Sequence, residues 1–184
     1  MNWLGQLVQE EVTEEASVLS LGCGILQEIE GLKCKSFKGF DIYEPYVSMV
    51  KQKGYDAECK DITKIQFLEN YYDTVLALDI LEHLNFNEVE KLIPLLKKTA
   101  RKKVIIYTPS KFYNNFSYNF SGNPTNINPV EWLNDSNESP YYQLGINSYQ
   151  KHLCLITEKY LQNLGFQTKI VQPDNNIYAI WRKK

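Results

Sequence analysis

The residues best suited to chemistry gather where apolar runs end. In "ASVLSLGCG", Ala16–Gly24, a run that reads as a buried strand stops in two glycines flanking a cysteine. Gly22 and Gly24 would let backbone N–H groups approach a ligand with no Cβ in the way. Asp41 closes the next such run, "SFKGFDI". A carboxylate at the end of a second strand, roughly twenty residues on, accepts two hydrogen bonds from a ribose diol. Together the pair reads as a nucleoside site, with the glycine turn beneath the arm that carries the reactive group and Asp41 on the sugar. Each half has a plainer reading: the glycines turn a strand into a helix, and Asp41 caps the helix that begins near Glu44-Pro45. The conjunction favours the site.

Further candidates lie later in the chain. Asp79 and His83 flank the end of "YDTVLALDI". Asp79 could orient an acceptor or a charged group of a cofactor, or cap the next helix. His83 reads first as a structural residue holding that turn, with a direct role as the alternative. His152, in "SYQKHLCLIT", could face an acceptor as a general base or bond to nearby backbone in a loop. Cys23, Cys34, Cys59 and Cys154 show no C-x-x-C pairing, which argues against zinc and against a disulfide framework. No metal is expected.

The elements that must position these groups alternate. A first helix carries Trp3, Leu4, Leu7 and Val8 on one face. "SVLSL" is strand one, followed by a short, poorly patterned helix, and "SFKGFDI" is strand two. "EPYVSMVKQKG" is a helix with Pro45 at its start and Gly54 just past its end. "YDAEC" holds a short third strand, and "YDTVLALDI" a fourth, buried on both faces. "NFNEVEKLIPLLKKTA" is the clearest helix, and "KKVIIYT" the fifth strand. After an irregular segment come the helix "TEKYLQNLG" and an antiparallel hairpin, "FQTKIV" and "IYAIW". This rhythm predicts an α/β fold, with a doubly wound, mostly parallel seven-stranded sheet, its last strand antiparallel, and helices on both faces. One domain is expected over residues 1–184. Within it, about 109–150 is an irregular insertion rich in Asn and aromatic residues, among them Phe112, Tyr113, Phe116, Trp132, Tyr141 and Tyr149. A segment that long suits a lid over an acceptor.

The ordered blocks resemble the class I, Rossmann-like S-adenosylmethionine-dependent methyltransferases, in particular small stand-alone members. "VLSLGCG" resembles the first motif, and the resemblance implies that Leu21, Gly22, Cys23 and Gly24 lie along the cofactor. "GFDIYEPYV" resembles the second, implying Asp41 on the ribose with Ile42 and Tyr43 beside the adenine. "CKDIT" resembles the third, implying Asp61 toward the adenine amino group and Ile62 next to it. "YDTVLALDILEHL" resembles the fourth and brings in Leu78, Asp79, Ile80 and His83. The implied cofactor is S-adenosyl-L-methionine. Ser20 stands where the family usually has Asp or Glu, and Leu26 where it often has a third glycine. A dinucleotide fingerprint would want glycine near Gln27 and has none, which disfavours a nicotinamide oxidoreductase.

A formal net charge of −2 gives no general attraction to nucleic acid or anionic lipid. The basic run "KKTARKK" falls at a helix end on the opposite edge of the sheet from the site, as a solvated helix terminus would. No apolar window reaches a spanning length, and a cytoplasmic protein is expected. The expected activity is methyl transfer, catalysed with His152 and Asp79, to a small or medium-sized acceptor, a carbohydrate or other glycan-type molecule being one candidate, by a monomer or homodimer. The alternatives are an RNA or protein methyltransferase and a catalytically silent S-adenosylmethionine-binding module.

Overall fold

In a computed structural model of the chain, the structure describes residues 2–110, 125–130, 149, 152–173 and 175–184. Among these, the apolar runs become β1 (Ser17–Leu21), β2 (Ser36–Asp41), β3 (Ala57–Cys59), β4 (Tyr72–Leu78), β5 (Ala100–Thr108), β8 (Gln167–Val171) and β9 (Asn176–Arg182). They form one sheet in the order β3-β2-β1-β4-β5-β9-β8. β1 pairs in parallel with both β2 and β4, β4 with β5, and β9 lies antiparallel between β5 and β8. Strand order therefore reverses at β1, where Leu21 stands opposite Phe40 on one side and Ala77 on the other. The carboxyl ends of β1 and β4 open a crevice at that reversal, the usual ligand position in such sheets.

The period-2 alternation of side chains feeds two cores. Val18, Leu76, Leu78 and Ile105 point to one face, which α1 (Trp3–Glu11) and α2 (Glu44–Gln52) cover with Leu4, Val8, Val47 and Val50. Leu19, Leu21, Val75, Ala77, Val104 and Ile106 point to the other, covered by α3 (Phe86–Thr99) and α4 (Glu158–Asn163). Strands buried on both faces are why β4 reads as an almost unbroken apolar run. Local signals set the helix limits. Asn85 and Glu88 form a capping box on α3, the Glu88 carboxylate accepting from the Asn85 N–H at 2.9 Å. Thr157 caps α4, and Gly54 and Gly165 follow α2 and α4 with φ of +85° and +82°.

Three expectations change. The helix expected after β1 is absent: residues 25–33 run as successive turns, with Leu26 at φ +62°. Ile25, Leu26, Ile29 and Leu32 bury themselves from those turns, so the apolar spacing that suggests a helix is real but is served by irregular backbone. His152 does not lead back into the main sheet. It opens β7 (His152–Leu155), which pairs antiparallel with β6 (Thr125–Val130) in a separate two-stranded ribbon. That ribbon lies partly inside the stretch expected to be irregular. Of the expected lid, Phe112, Tyr113, Phe116, Trp132 and Tyr141 lie outside the described residues. No helix among those described is long and apolar enough to cross a membrane.

Candidate functional site

The crevice is a cavity of about 320 Å³ at the carboxyl ends of β1, β2 and β4. Gly22, Asp41 and Ile42 line one side, Asp61 and Ile62 a second, and Ile80 and His83 a third. The three strand ends, far apart in sequence, converge because β1 pairs with both β2 and β4.

The glycines serve two different purposes. At Gly22 (φ +58°) a Cβ would stand 2.4 Å from Ile80 Cδ1, so the turn is glycine because the end of β4 packs against it. At Gly24 (φ +52°) a Cβ would meet nothing within 4 Å, so its open side faces empty space. The Gly24 N–H, expected to touch a ligand, instead donates to Asp41 Oδ2 at 2.9 Å. The Tyr43 N–H donates to Asp41 Oδ1 at 2.9 Å. A carboxylate oxygen can accept more than one hydrogen bond, so these N–H groups leave Asp41 able to accept from a ligand as well. Thus the turn and the acidic residue meet directly, the turn orienting the carboxylate. Burial pushes Asp41 above the usual carboxylate range, opposed by those N–H groups and by the charge of His83.

Asp61 is fixed locally. Its Oδ1 accepts from the Thr63 N–H (3.0 Å) and hydroxyl (2.6 Å), and Lys64 pairs with Oδ2 at 2.7 Å. Burial would raise its pKa, but these partners hold it below the usual range. Cys23 is buried with its Sγ against Gly39, and burial with the nearby Asp41 charge pushes its thiol up to about 12, leaving it an inert packing group. Leu21 and Leu78 are buried core residues, and Tyr43 stacks edge-on against Tyr46 at 4.9 Å; none of the three borders the cavity. Ser20 is buried, and Leu26 keeps, without a glycine, the left-handed conformation that a glycine there would favour.

At the far end, Asp79 holds a left-handed conformation (φ +47°), its N–H donating to the Tyr107 carbonyl at 2.9 Å. A short 3-10 turn, Leu81–His83, follows and presents Glu82 and His83. β7 packs on this turn, with Cys154 Sγ 3.5 Å from the Leu81 carbonyl oxygen, and so brings His152 onto His83, ring centroids 4.8 Å apart and edge-on. Burial, then the neighbouring His83, lowers His152 to about 4, so it is neutral at physiological pH. Glu82 is 1% exposed, and burial raises its pKa. Sequence reasoning missed Glu82, Lys60, Leu84 and Leu153 at this site, whereas Tyr149, expected in the lid, lines the cavity. The "LEHL" run signals Glu82 and Leu84 once His83 is suspected, but no local pattern marks Leu153.

The basic run is spent on structure. Lys102 pairs with Asp73, Lys103 with Glu11 and Lys98 with Glu69. Lys97 donates to the Leu164 carbonyl and lies over the rings of Phe166 and Trp181.

A β-sheet of this order, with its last strand inserted antiparallel and a nucleoside-sized cavity at the strand reversal, defines the Rossmann-like methyltransferase architecture. Residues 19–107 match the family described as "Methyltransferase domain". No curated protein matches the chain. Among solved structures, magnesium protoporphyrin IX methyltransferase from Synechocystis PCC 6803, with S-adenosylmethionine bound, aligns at 17% identity, TM-score 0.61, over 98% of this chain and 76% of that one. An S-adenosylmethionine-dependent methyltransferase from Mesorhizobium loti aligns at 12% identity, TM-score 0.64, over 97% and 96%. A TehB-like methyltransferase from Corynebacterium glutamicum aligns at 12% identity, TM-score 0.62, over 98% and 87%. In fold the chain resembles the class I S-adenosylmethionine-dependent methyltransferases, and its residues 19–107 match the methyltransferase-domain family.

Proposed function

We propose that the chain methylates a small or medium-sized hydroxylated acceptor, a glycan-type molecule included. The observation that carries this reading is the Asp41 carboxylate, anchored by the Gly24 N–H, on the wall of an apolar cavity. These groups fit a sulfonium nucleoside. Asp41 would accept from the ribose hydroxyls, Ile42 and Ile62 would flank the adenine, and Asp61 would accept from its amino group. The empty space over Gly24 leaves room for the amino-acid arm. When bound, S-adenosylmethionine supplies a methyl group on a positively charged sulfur, which a correctly placed nucleophile can attack without further activation of the methyl. The protein's task is then to orient the acceptor and exclude water.

Leu84, Leu153 and Ile80 make the acceptor end apolar, while His83 adds a polar edge backed by His152. In this reading His152 and Asp79 orient the acceptor hydroxyl and help remove its proton. A cavity of this size suits a small molecule rather than a polymer surface. Calorimetry with S-adenosylmethionine and S-adenosylhomocysteine tests the cofactor site: both bind the wild-type protein, and Asp41→Ala weakens binding at least about 10-fold, as losing hydrogen bonds to a charged group requires. Absence of binding to the wild-type protein overturns the reading. Methyl-labelled cofactor offered with a panel of sugars, phenols and other small hydroxyl compounds tests the acceptor class; label transferred only to RNA or protein refutes it.

A further inference from the structure

We propose that Glu82, His83 and His152 form a binding site for a divalent transition-metal ion at the acceptor end of the cavity. One ligand atom from each of the three lies within 4.8 Å of the other two. Metal–ligand bonds of about 2.0–2.2 Å put the ligand atoms of one ion roughly 3–4 Å apart, so closure needs side-chain shifts of less than about 1 Å. The three come from two elements whose relative position is fixed by packing. Glu82 and His83 sit on the 3-10 turn after β4, and His152 opens β7, which the buried Cys154, Leu155 and Ile156 anchor in the core.

The surroundings are compatible with such an ion. The Glu82 carboxylate is almost wholly buried; it accepts from the Thr108 hydroxyl at 3.0 Å and shares a hydrogen bond with Asp79, itself an acid. A bound cation would stabilise the buried Glu82 carboxylate and its acidic neighbour more than the neutral hydroxyl does. Two imidazoles with one carboxylate suit zinc, iron, manganese or cobalt rather than calcium or magnesium, and leave coordination positions open. His83 and Leu153 line the cavity, so the open positions face the space assigned to the acceptor. There the ion would take an oxygen of the acceptor as ligand and lower the pKa of that hydroxyl, a role that would replace the proton removal assigned above to His152. This last role rests on the methyl-transfer reading; the cation site itself does not. The site departs from the expectation of no metal because its histidines are remote in sequence and its carboxylate sits inside an apolar motif.

The test is equilibrium dialysis of the purified full chain against Co2+ and Zn2+, with visible spectra of the cobalt form and Mg2+ as the hard-ion comparison. One Co2+ or Zn2+ per chain is expected, with cobalt d–d bands showing nitrogen ligation. His152→Ala and His83→Ala should each weaken it at least about 100-fold. Glu82→Gln, which keeps the buried volume, should do the same, and melting curves identify any variant that has not folded. Calorimetry with S-adenosylhomocysteine on the same samples separates the two readings. Nucleoside binding without Co2+ or Zn2+ binding overturns the cation site and leaves methyl transfer standing; the reverse supports the site and removes methyl transfer. Metal binding untouched by both histidine variants, or no preference over Mg2+, also overturns the proposal.

Discussion

Single side chains decide whether the cavity can hold a nucleoside, and the two glycines can be told apart by substitution. Gly22→Ala combines left-handed backbone with a Cβ 2.4 Å from Ile80 Cδ1, and should cost about 2–5 kcal/mol in denaturant unfolding. Gly24→Ala meets no neighbour and should cost only the backbone term, about 1–2 kcal/mol, yet it places a methyl in the open space assigned to the cofactor. The first variant should therefore lose mainly stability and the second mainly affinity; equal losses in both would contradict the site. Asp41 adds a pH signature. Its folded-state pKa lies above the ordinary aspartate value of 3.8, so ionising it works against folding. Its contribution to stability should accordingly rise as pH falls through that raised pKa toward 3.8, while cofactor affinity falls because the protonated acid no longer accepts from both ribose hydroxyls. Melting and calorimetry from pH 7 to 4 should show these opposite slopes in the difference between wild type and Asp41→Asn. Gly22, Gly24 and Asp41 were legible in the sequence because their chemistry is local: a turn after an apolar run, and an acid at the end of the next. Glu82 was not, since a carboxylate among leucines carries no sign of its partners until Thr108 and His152 fold against it.

Elements were legible to the degree that they repeat a period. β4 and β5 lie in the sheet centre and read as continuous apolar runs, and α3 shows both a stripe and a capping box. The turns at 25–33 imitate a helix because four apolar residues recur at helical spacing, but their backbone is set by tertiary contacts: Leu26 is left-handed, and Lys53 Nζ donates to the Ile25 carbonyl at 2.9 Å. The β6–β7 ribbon was invisible for a related reason, as its pairing joins segments more than twenty residues apart with no alternation between them. Strand alignment in the main sheet depends on a polar clamp at its amino-terminal edge. Asp73 of β4 accepts from the Ser17 N–H and hydroxyl of β1, both at 2.9 Å, and pairs with Lys102 of β5 at 3.2 Å. Burial alone would raise the Asp73 pKa, but these partners lower it to about 2. A depressed carboxylate contributes stability that is present above its unfolded value near 3.9 and is lost as pH falls through its folded value. Asp73→Asn should cost about 2 kcal/mol at pH 7. It should also flatten the loss of stability between about pH 4 and pH 2, which melting curves across that interval would reveal; an unchanged acid limb would remove the clamp from the account.

At the scale of the whole molecule, the two cores share one sheet, and every strand of its centre contributes side chains to both. The cavity lies at the edge of that shared sheet, with Asp41 on β2 and His83 after β4. α1 is tied across it: Glu11 pairs with Lys103 of β5 at 2.9 Å and with Arg182 of β9 at 2.8 Å, and the Tyr178 hydroxyl donates to the Leu7 carbonyl at 3.1 Å. Neither core can open without exposing the other, which predicts one cooperative thermal transition, with equal calorimetric and van't Hoff enthalpies. A ligand held between β1, β2 and β4 then stabilises the entire fold rather than one lobe. S-adenosylhomocysteine at 100 times its dissociation constant adds about 2.7 kcal/mol, which for a chain of this length moves the midpoint up by roughly 5–10 °C. The shift should appear in the single transition and fall to about half or less in Asp41→Ala at the same ligand concentration. Scanning calorimetry showing two transitions, only one of them moved by ligand, would mean that the faces of the sheet unfold separately and that the cavity belongs to one of them alone.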